Sequence, residues 1–139
     1  MQELKIHQGD CLESMEWMSD ETVQCCVTSP PYFGLRDYGV EGQIGLEETP
    51  EQYVMKMVEV FREVRRILKP DGTLWLNLGD SYARTGGTDK KISSTGKVGN
   101  TLKTLDLLPD RKQKAPEGLK EKDLIGIPWM VAFALRADG

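Results

Sequence analysis

Val23-Gln-Cys-Cys-Val-Thr28, running straight into Ser29-Pro30-Pro31-Tyr32, is the stretch on which the reading of this chain turns. Its first six residues have the apolar, β-branched composition of a short buried strand. The two prolines end that strand, because neither has an amide proton to give to a ladder. They also fix two consecutive φ angles, leaving a stiff loop edged with carbonyl oxygens. In an open α/β sheet the functional crevice lies off the carboxyl ends of the strands, which is where Thr28–Tyr32 falls.

Working outward, Leu4 to His7 reads as another short strand, turned by Gly9-Asp10 into a helix of about Cys11 to Met18. Downstream, a long connection carries Gly34, Gly39, Gly42 and Gly45. Thr49-Pro50-Glu51-Gln52 then announces a helix, with Thr49 as N-cap, Pro50 at the first helical position and Gln52 as capping-box partner. Val54, Met57, Val58, Phe61, Val64 and Leu68 recur at three- and four-residue spacing and give that helix one apolar face. Arg62, Arg65, Arg66 and Lys69 suit the negative end of its dipole, a plainer role than phosphate binding, and Pro70-Asp71-Gly72 stops it. Thr73 to Leu78 reads as a third strand. Strand and helix thus alternate, the pattern of an α/β fold with a parallel sheet.

Residues 83–122 break the pattern: glycine, threonine, serine and lysine dominate, and the segment is expected to be a flexible basic loop. A final helix opens at Pro128 and runs towards Gly139. The 139 residues are enough for one domain, divided here into an α/β core (1–82), the loop (83–122) and a terminal helix (123–139). The net charge of −4 is unevenly spread. Residues 1–83 hold seven Lys/Arg against fifteen Asp/Glu, and residues 84–122 hold ten against five. An acidic body with a basic loop is a nucleic-acid footprint, although a solvated charged loop explains it equally well. The opening residues lack the run of a secretory signal, and Leu124–Leu135 is too short to span a bilayer, so a cytoplasmic protein without a membrane partner is expected. Cys11, Cys25, Cys26 and His7 have no metal-ligand spacing; the cysteines are expected to be small buried hydrophobes and no metal is expected.

Ser29-Pro30-Pro31-Tyr32 has a chemistry that its residue types suggest. Carbonyl oxygens and the Ser29 hydroxyl can accept hydrogen bonds from an exocyclic NH₂ group without competing donors, and Tyr32 offers a ring for a base to stack on. The amine of cytosine or adenine is a poor nucleophile because its lone pair is delocalised. Acceptors aimed at its hydrogens favour a pyramidal nitrogen whose lone pair can attack a methyl group. Within a duplex the base must first be flipped out, at a cost of ~a few kcal/mol. An ordinary proline turn is the plainer reading of the same four residues.

The motif resembles the catalytic Asp/Asn/Ser-Pro-Pro-Tyr/Phe/Trp of the N4-cytosine and N6-adenine DNA amino-methyltransferases. Gly9-Asp10-Cys11-Leu12 is similar to that family's strand-ending Gly-Asp motif, and Leu68–Trp75 to the helix end and strand that follow the catalytic loop. Asn77–Tyr82 and Ile125–Trp129 resemble members with the permuted, beta-class motif order. The resemblance covers residues 4–82 and 123–139. It implies a partial Rossmann-like methyltransferase sheet, S-adenosyl-L-methionine as methyl donor and DNA as partner, in a bacterial or phage-encoded restriction-modification setting. It implies catalytic roles for Ser29, Pro30, Pro31 and Tyr32, and cofactor contacts at Asp10, Cys11 and Thr28. Serine at the motif's first position leans the target towards cytosine N4 over adenine N6.

One family feature is missing. Nothing matches the glycine-rich Phe-x-Gly-x-Gly loop that cradles the methionine part of the cofactor: Gly86-Gly87 follows no aromatic residue, and Gly96 to Gly99 sits in polar sequence. The resemblance is therefore to a domain truncated before that motif, and weak cofactor binding by the chain alone is expected. A non-catalytic fragment, or a subunit of a split enzyme that binds DNA or a second chain, is the alternative. A methyltransferase acting on small-molecule or protein amines is a third reading, which the basic stretch disfavours.

Overall fold

The computed structural model describes residues 4–84 and 116–139. In chain order they form α1 (Cys11–Glu16), β1 (Val23–Thr28), α2 (Pro50–Ile67), β2 (Leu68–Leu76) and α3 (Ile127–Asp138). β1 and β2 lie side by side and parallel, with α2 as the crossover between them. The expected α/β alternation is present in this βαβ unit, and β1 has the bounds read from the sequence.

The long helix starts as its sequence dictates. Thr49 is extended, and its hydroxyl accepts the Gln52 amide at 3.3 Å. Gln52 reaches back one residue further than in a standard capping box, accepting the Glu48 amide at 3.1 Å. Tyr53, Val54, Met57, Val60, Phe61, Val64 and Ile67 form the buried face, packed against Met15, Phe33, Ile127 and Val131. The apolar stripe is thus shifted from the expected face towards the side of Tyr53, Val60 and Ile67, and the expected Val58 and Leu68 are only half-buried.

The arginines near the end of α2 do structural work. Arg66 donates to the carbonyls of Met15, in the last turn of α1, and of Met18, just beyond it (both 2.8 Å), and pairs with Asp20 and Glu63. Arg62 and Arg65 hold the far end of α3, through the Asp138 carboxylate and carbonyl respectively.

β2 begins immediately after α2, at Leu68, five residues before the expected Thr73 and ends at Leu76. Its register explains the difference. Val23 pairs with Leu68, but Cys25 pairs with Thr73, so Lys69–Gly72 forms an irregular excursion before regular pairing resumes. Pro-Asp-Gly stops the helix, as read, without delaying the strand.

Three expectations are corrected. Leu4–His7 is not a strand: among the described residues β1 and β2 pair only with each other, and Leu4 and Ile6 are 86% and 87% exposed. An extended segment becomes a strand only by pairing its amides. Cys11 and Cys25 are exposed and Cys26 half-buried, because α1 is a short surface helix and the described residues cover the sheet on one face only. On that covered face Cys26, Leu74 and Leu76 meet the core; on the other, the paired Val27 and Trp75 are 78% and 65% exposed. Finally, the expected loop 83–122 has paired flanks. Ala83 is buried, its amide donates to Asp123 and its carbonyl accepts from Lys122 (both 2.8 Å), beside a Tyr82–Leu124 bridge. Residues 85–115, with the glycines and most of the lysines noted above, lie outside the described residues.

Asp80 organises the other end of the molecule. Its carboxylate accepts the amides of Ser81 (2.8 Å), Gly126 (2.9 Å) and Ile127 (2.9 Å), capping α3 from a distant segment. α3 then lays Ile127 and Val131 on α2 and leaves Trp129 and Phe133 exposed.

Candidate active site

The Thr28 carbonyl accepts the Asn77 amide at 2.9 Å, so β1 and the extension of β2 leave the sheet together. Ser29–Tyr32 starts at that point, off the carboxyl end of β1.

Three contacts hold the loop. The hydroxyl of Tyr53, a fully buried residue, donates to the Pro31 carbonyl at 2.9 Å. Burial, and next the charge of Glu47, push this hydroxyl well above the usual tyrosine range, so it stays a donor at all ordinary pH. Gly45 presses from behind: at φ +101° only glycine is comfortable, and a Cβ there would stand 2.8 Å from the Tyr32 carbonyl oxygen. On the side-chain side, the Tyr32 ring rests on Gly79, where a Cβ would lie 2.7 Å from the ring edge. Ser29 Oγ approaches Tyr32 Oη at 3.4 Å, long for a hydroxyl pair, so the serine oxygen is only loosely engaged.

The loop lines a cavity of about 300 Å³ together with Leu35, Arg36 and Tyr38. These three come from the connection after the motif, which sequence reasoning left as plain linker. Gln43 clamps that connection: its Oε1 accepts the Tyr38 amide at 2.6 Å and its Nε2 donates to the Arg36 carbonyl at 3.0 Å. A larger, more open depression of about 830 Å³ lies between this connection and α2, but Asp37, Glu41, Glu47 and Glu59 line it against a single lysine, Lys56. That charge repels a phosphate backbone. The smaller cavity is the candidate site.

Ser29, Pro30, Pro31 and Tyr32 are therefore brought together, whereas Asp10, Cys11 and Thr28 do not line the cavity. Asp10 is exposed and caps α1, its Oδ1 accepting the Leu12 amide at 2.8 Å. Cys11 opens α1, with its thiol pushed up by desolvation and then by the Asp10 charge, which makes it a poor nucleophile. Thr28 is the last residue of β1. Among the described residues no group of three His, Cys, Asp or Glu is placed to hold a metal, and no helix is long and apolar enough to cross a membrane. Tyr53, Gly79, Arg36 and Tyr38 are residues of the candidate site that sequence reasoning missed; the only advance signal was an arginine and a tyrosine between glycines directly after the motif.

The family model for DNA methylases of the N6/N4 type matches residues 23–125. Among curated proteins, the type II methyltransferase M.SmaI of Serratia marcescens is 49% identical over 137 residues, 97% of this chain and 44% of its own length. M.XycI of Xanthomonas campestris pv. cyanopsidis is 48% identical over 96% of the chain and 42% of its own length, and M.Cfr9I of Citrobacter freundii 46% over the same shares. No solved structure matches significantly. The chain thus spans less than half the length of these relatives, and with its proline loop inside the matched region it belongs to the N6/N4 DNA methylase family.

Proposed function

We propose that this chain supplies the catalytic-loop half of a site-specific DNA methyltransferase with a Rossmann-like sheet, acting on an exocyclic base amine, with cytosine N4 favoured over adenine N6. The observation that supports the reading best is the rigid seating of Ser29–Tyr32 by Tyr53 and Gly79 at the mouth of a base-sized cavity.

The loop's division of labour follows from its bonds. Tyr53 occupies the Pro31 carbonyl, so the acceptors for the target amine are Ser29 Oγ and the Pro30 carbonyl. Hydrogen bonds to both amine hydrogens draw the nitrogen towards a pyramidal shape and turn its lone pair outward. These bonds strengthen as positive charge develops on the nitrogen, which places their effect in the transition state. Tyr32, backed by Gly79, supports the ring of the flipped base. S-adenosyl-L-methionine, the donor expected for the family, supplies an electrophilic methyl group. The exposed Asp10 carboxylate, with one oxygen committed to the α1 cap, suits the hydroxyl or amine donors of its nucleoside end, and Cys11 and Thr28 are proposed as further cofactor contacts on the family resemblance. No described residue offers a cradle for its methionine end.

The test is single-turnover methylation of cytosine-containing duplex by the chain joined to the carboxyl-terminal portion of a curated relative. Ser29→Ala is expected to slow transfer roughly ten- to hundredfold, the worth of one polar contact to a reacting group. Tyr32→Ala is expected to weaken base capture by ~1–3 kcal/mol. Parental rates in both variants return the loop to a structural turn.

The open Val27–Trp75 sheet face favours a second reading, a binding subunit whose partner chain completes the domain. Binding of a duplex or of the carboxyl-terminal portion, with no methylation by the joined protein, selects it.

A further inference from the structure

Arg36 stands at the cavity with the catalytic loop, yet among the described residues its guanidinium makes no hydrogen bond or ion pair. The arginines of α2, by contrast, are all engaged by the fold. Beside Arg36, Leu35 and Tyr38 are 45% and 58% exposed. An aliphatic side chain and a tyrosine held out in water around an uncommitted guanidinium, on a connection clamped by Gln43, have no role in packing the described residues. The cavity's other apolar lining comes from Pro30, Pro31 and Tyr32. At about 300 Å³ it is at the small end of ligand pockets, sized for one planar ring system and not for a whole nucleotide chain.

We propose that Arg36 and Tyr38 form the base-reading half of this pocket: Tyr38 covers the flipped base, and Arg36 reads the acceptors beside its amine. The inference rests on the proposed DNA function and goes further, because it assigns the residues that select the base. A guanidinium has only donors, arranged in a planar fork. Next to its amine, cytosine presents two acceptors, N3 and O2, which match that fork. On that edge adenine presents one, N1, followed by a C–H; its other neighbouring acceptor, N7, lies on the opposite side of the amine and cannot share the fork. Thymine replaces N3 by an N–H donor, which an arginine cannot pair. With Ser29 and the Pro30 carbonyl accepting from the amine and Arg36 donating to the adjacent edge, the pocket accepts donor-acceptor-acceptor, the order found in cytosine.

Equilibrium binding of the chain to fluorescent single-stranded 12-mers tests this, comparing oligo(dC), oligo(dT), oligo(dA) and an abasic strand at two salt concentrations. The expected result is tightest binding of oligo(dC), about tenfold over the abasic strand. Arg36→Lys and Arg36→Ala should both erase the preference for oligo(dC) over oligo(dT), and Tyr38→Ala should weaken all base-containing strands towards the abasic value. Unfolding midpoints should not move, since both side chains are exposed. If Arg36→Lys keeps the full preference while Arg36→Ala lowers every strand equally and flattens the salt slope, the arginine contacts phosphate and the proposal is wrong. Equal binding of abasic and oligo(dC) strands by the unsubstituted chain also overturns it, while leaving DNA binding intact. Binding of no strand at all overturns the DNA function together with it.

Discussion

The Tyr53 hydroxyl, in the first turn of α2, donates to the carbonyl of Pro31 across 22 positions of sequence, tying the main core helix to the motif loop. Tyr53→Phe keeps the ring and its packing on Phe33, at 5.6 Å between centroids, and deletes only that donor. A part-buried carbonyl losing its partner is expected to cost about 1–3 kcal/mol, read as a lower denaturant midpoint. An unchanged midpoint would show that the loop does not depend on this bond.

The same hydroxyl carries a pH signature. Its folded pKa is raised by burial, while in the unfolded chain it titrates near the ordinary value of ~10. The unfolded state therefore releases a proton that the folded state retains. The contribution is intact below about pH 10 and is lost at up to ~1.4 kcal/mol per pH unit above it. Stability measured from pH 8 to 11 should fall at the alkaline end in the parent and fall less in Tyr53→Phe. Parallel curves would remove Tyr53 from the account.

Gly79→Ala tests the other support of the loop. The new methyl would overlap the Tyr32 ring, and the cheapest response is for the ring to swing away, since Tyr32 is only partly buried. The fold should lose little, about 1 kcal/mol, because the strain is relieved at the surface. The ring, however, would leave Ser29, so Tyr32 fluorescence or ring NMR shifts should change and base capture should weaken. A Tyr32 environment identical to the parent's would show that the backbone yields instead.

How far this arrangement could be read in advance depends on the range of the interactions involved. The start of α2 and both ends of β1 were legible, because Thr49, Pro50 and the proline pair act within a few residues of themselves. Leu4–His7 failed because alternation shows only that a segment could pair, not that a neighbour exists. The cysteines failed for a related reason: burial of Cys25 requires a layer over the second sheet face, which no local pattern reports. In the candidate site, the motif pointed to Ser29–Tyr32 by residue type, whereas Tyr53 looked like one more apolar position on a helix. Its hydroxyl meets Pro31 only once the crossover is folded. Arg36 and Tyr38 were hidden in a glycine-rich connection whose shape depends on Gln43.

The open sheet face has a measurable consequence. Val27 and Trp75 are cross-strand partners with most of their surface in water, a pairing that invites association. Trp75→Lys should change the unfolding free energy by no more than ~0.5 kcal/mol, as expected for exposed positions. It should nevertheless lower self-association and dye binding of the chain. A destabilisation of several kcal/mol would mean that the face is covered in solution.

Asp80 is the residue whose loss should uncouple α3. One carboxylate takes three backbone amides, two of them at the start of a helix whose Gly126 has φ +89° and provides no side-chain cap of its own. The bonds are charge-assisted and lie at the positive end of the helix dipole, so their combined effect exceeds that of a neutral cap. Asp80→Ala is expected to cost about 1.5–3 kcal/mol. Asp80→Asn should fall between, since one oxygen can still accept from Gly126 and Ile127. The defect should be local: amide exchange at Gly126, Ile127 and the following turn should accelerate well before that of α2, whose buried face retains its contacts with α1 and the sheet. Arg62 and Arg65 would still hold the far end of α3 through Asp138, so the helix should fray from its amino end. If exchange at Gly126 and Ile127 is unchanged in Asp80→Ala, α3 is anchored by Ile127 and Val131 packing on α2, and the carboxylate is incidental.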